Sequence, residues 1–168
     1  MDEAKRRGLE KLQESLILAA EDMDQATAAA TALRADTSKD AAWRRALETA
    51  IAVSYMRPFT DGAWRLPGKY VPKSSPARDI HRGLKDLRNK VYAHSDQESG
   101  RSAYMKTTGT SGDVISMEYG SEWQAFPVED LHAVLALFHD QRQRFLTDAA
   151  GIHADLEADT EGGTPLVP

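Results

Sequence analysis

The residue types that could carry out chemistry lie closest together in one segment, from Arg88 to His94. This segment combines a permanently charged guanidinium, the amide of Asn89 and an imidazole. A guanidinium binds phosphate oxygens through paired hydrogen bonds, and an imidazole exchanges protons near neutral pH. Together these groups could hold a phosphodiester and move its protons without a metal ion. The segment therefore raises the hypothesis of chemistry on RNA.

A predicted helix positions this segment. Apolar residues recur at helical spacing over Ile80–Val91, which predicts an amphipathic helix that runs to about Ala93 or Ser95. On an ideal α-helix, Arg88 and His94 are about 9 Å apart along the axis and about 120° apart around it. They would then lie on the two borders of the apolar stripe, where a charge is partly desolvated. The stripe consists of Ile80, Leu84, Leu87 and Val91.

The same residues also fit a purely structural interpretation. His94 comes about one turn after Val91, so it could be a packing histidine that continues the stripe. Arg88 could form an ion pair with a carboxylate of the helical core such as Glu48. The sequence leaves both interpretations open.

The rest of the chain predicts a mainly α-helical fold, an up-and-down four-helix bundle. Residues from about 6 to 34 carry two heptad series of apolar side chains, which favour a long helix packed nearly antiparallel against its neighbours. Ser38 and Asp40 offer N-cap chemistry for a second helix, which Pro58 ends near Arg57. The two series are Leu9, Leu16, Met23 and Ala30, and Leu12, Ala19, Ala26 and Leu33; the second helix would turn Trp43, Leu47, Ile51 and Ser54 inward.

Two further helices begin at prolines. Ser75 as N-cap and Pro76 as first helical residue open the third helix. Pro127 opens the fourth, with Glu129 and Asp130 in its first turn, where they suit the helix dipole. The fourth helix would turn Leu131, Val134, Leu135, Phe138, Phe145 and Ile152 inward.

A short β-hairpin is predicted between these two helices. The apolar period changes to two within residues 102–119, around a turn with two glycines at Thr108–Asp113. The length suits one core. We therefore expect a single domain over residues 1–157 and a disordered C-terminal tail over residues 158–168.

A long loop after the second helix supplies candidate RNA contacts. Its cations alternate with Trp64 and Tyr70, a combination that attracts phosphates and stacks bases. Two other interpretations stay open: the aromatic residues could pin the loop to the bundle, or the loop and the third helix could enclose a small ligand or nucleotide. The candidate RNA-binding residues are Arg57, Arg65, Lys69, Lys73, Lys90 and Tyr92.

Composition narrows the range of functions. The chain has no cysteine, which excludes disulfides and thiolate sites and makes a reducing cytoplasm the expected location. No apolar run approaches the roughly 20 residues that a membrane-spanning helix needs, so no membrane is expected. The net charge is −5, but it divides into −2 over residues 1–56, +6 over residues 57–106 and −9 over residues 107–168. A local anion site in an acidic protein is therefore compatible with the charge distribution.

Metal and cofactor chemistry have little support in the sequence. His132, His139 and His153 share a helix face, but they are seven and fourteen residues apart, whereas metal ligation usually needs closer spacing. Gly109 and Gly112 lie in the predicted hairpin turn and form no phosphate-binding motif. We expect no metal and no cofactor.

The segment from Leu87 to Asp96 resembles the signature of HEPN domains (higher eukaryotes and prokaryotes nucleotide-binding), particularly their abortive-infection-like bacterial members. In that signature an arginine is followed by an asparagine, four further residues and a histidine, late in a helical bundle; here these are Arg88, Asn89 and His94. In members paired with a nucleotidyltransferase antitoxin, a tyrosine stands two places after the histidine. Here that place holds Asp96.

The resemblance implies a metal-independent endoribonuclease, a homodimer in which two copies of the motif face each other. His94 would assist attack of a ribose 2′-hydroxyl or protonate the leaving oxygen, and Arg88 would offset charge on the phosphoryl oxygens. Asn89 would orient the scissile group. The resemblance further implies RNA as the substrate, a role in phage defence or as a toxin, and an antitoxin or regulatory protein as a partner. The rival is a noncatalytic interaction or RNA- or nucleotide-binding module of the same fold.

Overall fold

The computed structural model describes residues 1–38, 40–92, 102–108, 116–122 and 131–161. The predicted mainly α-helical class is confirmed. In chain order the elements are α1 (Glu3–Ala35), α2 (Ala41–Met56), α3 (Ser75–Asp86) with a π-helical turn (Leu87–Tyr92), β1 (Ser102–Thr108), β2 (Ser116–Glu122) and α4 (Leu131–Glu161).

The two longest helices, α1 and α4, pack antiparallel. Nη2 of Arg6 donates to Oγ1 of Thr160 at 3.1 Å, and Nε of Arg142 lies 2.6 Å from Oδ1 of Asp24. The two contacts are eighteen residues apart in α1 and eighteen residues apart, in the reverse order, in α4. The helices therefore run side by side over about 27 Å. Both predicted heptad series of α1 are buried from Leu16 onward, while Leu9 and Leu12 are half-buried.

Helix α2 begins where its sequence predicts. The carboxylate of Asp40 accepts from the backbone N–H groups of Ala42 and Trp43, which are otherwise unsatisfied in the first turn. Leu47, Ile51 and Ser54 are buried as expected, but Trp43 is 51% exposed, so its predicted inward position is wrong. Helical periodicity predicts on which face of the helix a side chain lies. Whether another element packs against that face depends on residues elsewhere in the chain.

The loop between α2 and α3 is anchored to the core. The backbone N–H of Leu66 donates to the carbonyl of Pro58 at 2.8 Å, and the ring of Tyr70, fully buried, meets Phe145 edge-on at 5.8 Å between centroids. Trp64, in contrast, is 44% exposed. Tyr70 therefore anchors the loop to the core, as the structural interpretation predicts. Trp64 is accessible, as stacking on a base would require.

Helix α3 runs antiparallel to α2 and changes geometry before its predicted end. Its helical residues start at Ser75 with Ser74 as N-cap, one residue earlier than predicted. Leu84 is buried, and the partly buried Ile80 and Leu87 pack against the core. The α-helix ends at Asp86 and a π-helical turn follows.

The last helix buries the apolar face that its sequence predicts. Leu131, Val134, Phe138 and Phe145 are buried as expected, and Leu135 and Ile152 pack partly buried beside them. Helix α4 continues to Glu161, four residues past residue 157, where the predicted domain ends. Residues 162–168, and the predicted helix start over residues 127–130, lie outside the described residues.

The two strands pair antiparallel, with Ser102 opposite Glu122 and Thr108 opposite Ser116. The predicted turn between them falls largely in residues 109–115, outside the described residues. Within the part of the chain that is described, every helix is too short or too polar to cross a bilayer.

Candidate functional site

Arg88 and Asn89 form a hydrogen-bonded pair in the π-helical turn. Nη1 of Arg88 donates to Oδ1 of Asn89 at 2.9 Å, and both residues are half-buried. Because a guanidinium has only donors, the amide oxygen must be the atom that faces it. This bond uses neither the amide N–H₂ group nor the other guanidinium N–H groups. We call these two side chains the donor pair.

The donor pair suits an anion. Neither side chain has an accepting atom left after the bond between them, apart from the second lone pair of Oδ1. Charge-assisted hydrogen bonds from a guanidinium to phosphate oxygens are shorter and stronger than neutral ones. Half-burial strengthens them further because the local dielectric is lower than that of water. The pair can therefore hold a phosphate but cannot itself remove a proton from a hydroxyl.

The π-helical turn changes the geometry expected from the sequence. An i→i+5 turn is wider than an α-helical turn, so each residue advances less around the axis, and such turns are frequent at functional sites. The separation of about 9 Å and 120° expected for Arg88 and His94 assumed α-helix throughout and does not hold across Leu87–Tyr92. His94 lies outside the described residues, as do the side chains of Lys90 and Tyr92.

A fully buried carboxylate lies on α2, the helix against which the π-helical turn packs. It belongs to Glu48, one helical repeat of seven residues before Tyr55, which contacts His81 of α3. Glu48 has no exposed surface, and Nε of Arg44 donates to its Oε1 at 3.0 Å. Arg44 is therefore one partner of this carboxylate, whereas Nη1 of Arg88 binds Asn89.

Three of the four predicted RNA-binding residues of the loop have intramolecular partners. Arg57 is paired with Asp22 of α1, Arg65 with Asp61, and Nζ of Lys69 lies 4.9 Å from the centroid of the Tyr70 ring. Burial raises the pKa of Asp22, and the charge of Arg57 opposes that rise. Lys73, the fourth, is exposed.

The loop and the donor pair do not form one site. They lie at opposite ends of α3, whose twelve residues span about 18 Å. Arg57, Arg65, Lys69 and Lys73 are therefore remote from Arg88 and Asn89. A ligand that touches both groups must extend along the length of this helix.

A cleft beside the loop differs from the ligand pocket predicted there. It has a volume of about 190 Å³ and lies between α1 and the loop, with Leu18, Asp22, Arg57 and Trp64 in its wall. The expected pocket lay between the loop and α3. At this volume the cleft is smaller than the roughly 300–1,000 Å³ typical of small-molecule sites.

The structure adds basic residues that the sequence analysis missed. Arg78, Arg82 and Lys85 are exposed on the outer face of α3, opposite the apolar stripe. Their spacing of four and three residues is visible in the sequence and could have identified them. The loop cations predicted to contact RNA lie at the other end of α3.

The histidines of α4 are exposed. This holds for His132, His139 and His153, the last of which lies 3.2 Å from Oε1 of Glu157. Among the described residues, no three histidine, aspartate or glutamate side chains come together as a metal site would require.

Compared with models of known protein families, with curated proteins and with solved structures, the chain has no match. The resemblance to HEPN domains thus depends on the residues of the motif.

Proposed function

We propose that this protein is a metal-independent endoribonuclease of HEPN type, with Arg88, Asn89 and His94 as its catalytic residues. The observation that supports it most directly is the donor pair, in which a guanidinium and an amide are held together at 2.9 Å in a half-buried π-helical turn. Such an arrangement offers N–H groups to the oxygens of a phosphodiester before substrate arrives.

The proposed reaction is an internal transesterification. The 2′-hydroxyl oxygen attacks the adjacent phosphorus and gives up its proton, the bond to the 5′-oxygen breaks, and that oxygen takes up a proton. The products are a 2′,3′-cyclic phosphate and a 5′-hydroxyl. Arg88 and Asn89 offset the charge that grows on the phosphoryl oxygens, and His94 moves the proton. Two proton transfers favour a homodimer, since each copy then supplies one imidazole.

The finer architecture belongs to the same proposal. The four helices form an up-and-down HEPN-like bundle with the strand pair inserted before α4, and the protein works in the cytoplasm. An antitoxin or regulatory protein would control it, in a toxin or phage-defence role. The basic charge of residues 57–106 supports an RNA substrate in an otherwise acidic chain.

A noncatalytic RNA- or nucleotide-binding or interaction module is the second candidate. It is favoured by the donor pair itself, since donors without a proton acceptor bind an anion equally well when no reaction follows. The exposed Trp64 beside the 190 Å³ cleft also suits a binding role.

Cleavage of mixed RNA in EDTA by purified protein tests the proposal. Wild type should cleave, whereas Arg88→Ala and His94→Ala should lose at least about 100-fold in rate. Arg34→Ala is the matched control, because Arg34 is exposed at the end of α1. Equal cleavage by all four proteins would reveal a contaminating nuclease, and no cleavage by wild type would favour the binding module.

A further inference from the structure

One face of α3 carries a row of cations. Arg78, Arg82 and Lys85 fall within about 60° of each other around the axis, at four- and three-residue steps of about 6 and 4.5 Å along it. Asn89 follows four residues after Lys85, within the π-helical turn. We call Arg78, Arg82 and Lys85 the α3 basic face.

The rotation of α3 holds this face toward solvent. On the opposite side Leu84 is only 2% exposed, and on the border Nδ1 of His81 lies 3.0 Å from the Tyr55 hydroxyl in the core. Because Leu84 and His81 contact the core, α3 cannot rotate its cations inward without exposing those two residues. Arg78 and Lys85 are accordingly exposed, and the Arg82 side chain is 65% exposed.

The charges of the α3 basic face are available to a ligand. Asp79 and Asp86 lie along one border, and Nη1 of Arg82 is 3.6 Å from Oδ1 of Asp79. Both members of that pair are more than half exposed, and surface pairs of this kind contribute about 0–1 kcal/mol. A phosphate can replace such a partner at little cost. The charge of Lys85 also reaches His81, where it helps to lower the pKa of the imidazole.

We propose that the α3 basic face binds the phosphodiester backbone of a single-stranded RNA and guides it along the helix to the donor pair. This inference rests on the proposed function, because it assigns the donor pair as the place where the strand is cut. From Arg78 to Asn89 the path is about 16 Å long, which corresponds to roughly three to five nucleotides. The cations recur at intervals like those between neighbouring phosphates, and the row leads to the N–H groups of the donor pair. An extended RNA strand fits both features, because its phosphates are regularly spaced. The carboxylates of an acidic protein surface have no such regular spacing.

Binding of fluorescein-labelled oligouridylates of 2 and 12 nucleotides, followed by anisotropy in EDTA, tests the inference. The proteins carry His94→Ala so that cleavage does not interfere. The test variant is Arg78→Gln/Arg82→Gln/Lys85→Gln, and the matched control is Arg7→Gln/Lys11→Gln/Arg34→Gln, which removes two arginines and one lysine from exposed positions of α1. Urea unfolding of both variants checks that the fold is intact.

The test variant should bind the 12-mer about 100-fold more weakly than the parent at 0.1 M salt. Its slope of log affinity against log salt concentration should fall by about 2, because each lost phosphate contact contributes about 0.7. The control should stay within about threefold of the parent, and the two variants should not differ on the dinucleotide. Equal affinities of the two variants for the 12-mer would overturn the inference, as would tighter binding of a polyglutamate of equal length than of the RNA. If wild type fails to cleave but the binding result holds, the catalytic proposal fails and the binding face stands.

Discussion

The hydroxyl of Tyr55 lies 3.0 Å from Nδ1 of His81, and this bond joins α2 to α3 inside the core. Tyr55 has no exposed surface and His81 is 9% exposed. Phe138 stacks on the Tyr55 ring at 5.0 Å between centroids, and Phe59 meets the His81 ring edge-on at 5.0 Å. The bond therefore fixes the position of α3 along the axis of α2, and with it the position of the donor pair that follows α3.

Protonation of His81 should make stability depend on pH. Burial lowers the pKa of His81, and the nearby charge of Lys85 lowers it further. The folded state then binds fewer protons than the unfolded state, whose histidine titrates near pH 6.5. The free energy of unfolding should have its full value above about pH 6.5. It should fall as the pH drops from there through the pKa of His81 in the folded state.

Urea unfolding between pH 7.5 and 5 measures this effect. His81→Asn, which keeps an acceptor for the Tyr55 hydroxyl, should flatten the loss of stability over this range. His132→Asn is the matched control, because His132 is exposed. Identical pH profiles for wild type and His81→Asn would contradict the assignment.

Removing Arg57 should destabilise the fold through Asp22. The carboxylate of Asp22 is nearly buried and is paired with the Arg57 guanidinium, so Arg57→Gln leaves a desolvated charge without its partner. We expect a loss of about 1–3 kcal/mol at pH 7, below the value for fully buried pairs because Arg57 is half exposed.

The double variant Asp22→Asn/Arg57→Gln should recover most of this stability, since no buried charge remains. The same proteins separate a structural role of Arg57 from contact with RNA. Loss of RNA affinity by the recovered double variant would show that Arg57 also binds RNA, whereas an unchanged affinity would leave it a structural residue.

Truncation of Glu48 should be among the most damaging single changes. Its carboxylate is fully buried and accepts from Arg44, so Glu48→Ala opens a cavity and removes an acceptor of the Arg44 guanidinium. A loss of about 2–5 kcal/mol is expected, the range for truncating a large buried side chain to alanine. Glu14→Ala, at an exposed position of α1, should change the free energy of unfolding by less than about 0.5 kcal/mol. Similar denaturation midpoints for the two variants would contradict the burial of Glu48.

Asn89→Asp tests whether the donor pair acts through its amide N–H groups. The replacement has the same shape but cannot donate when ionised, and its charge competes with phosphate for Arg88. RNA cleavage should fall by about 100-fold, the cost of losing one donor to a charged transition state. Gln25→Glu changes the net charge equally at an exposed position and should leave the rate within about twofold. Equal rates for Asn89→Asp and wild type would exclude this role.

Much of the local structure could be predicted from the sequence. The heptad spacing from Leu16 to Leu33 and the cap at Asp40 specify helices through short-range rules, and the structure follows them. The same rules failed at Trp43, which shares its helix stripe with Leu47 but is exposed. Burial there depends on what packs against the stripe, and that information is not local.

The candidate site divides in the same way. The sequence by itself determined that a guanidinium, an amide and an imidazole occur close together in one amphipathic segment, since residue type and spacing are local properties. Only the tertiary structure decided that the helix widens into a π-helical turn at Leu87, that Arg88 binds Asn89, and that the basic loop lies at the opposite end of α3 from them. These outcomes depend on how α3 is held against α2 by contacts such as Tyr55 with His81, which are 26 residues apart in the chain. Spacing along one helix cannot encode a contact whose partner belongs to another.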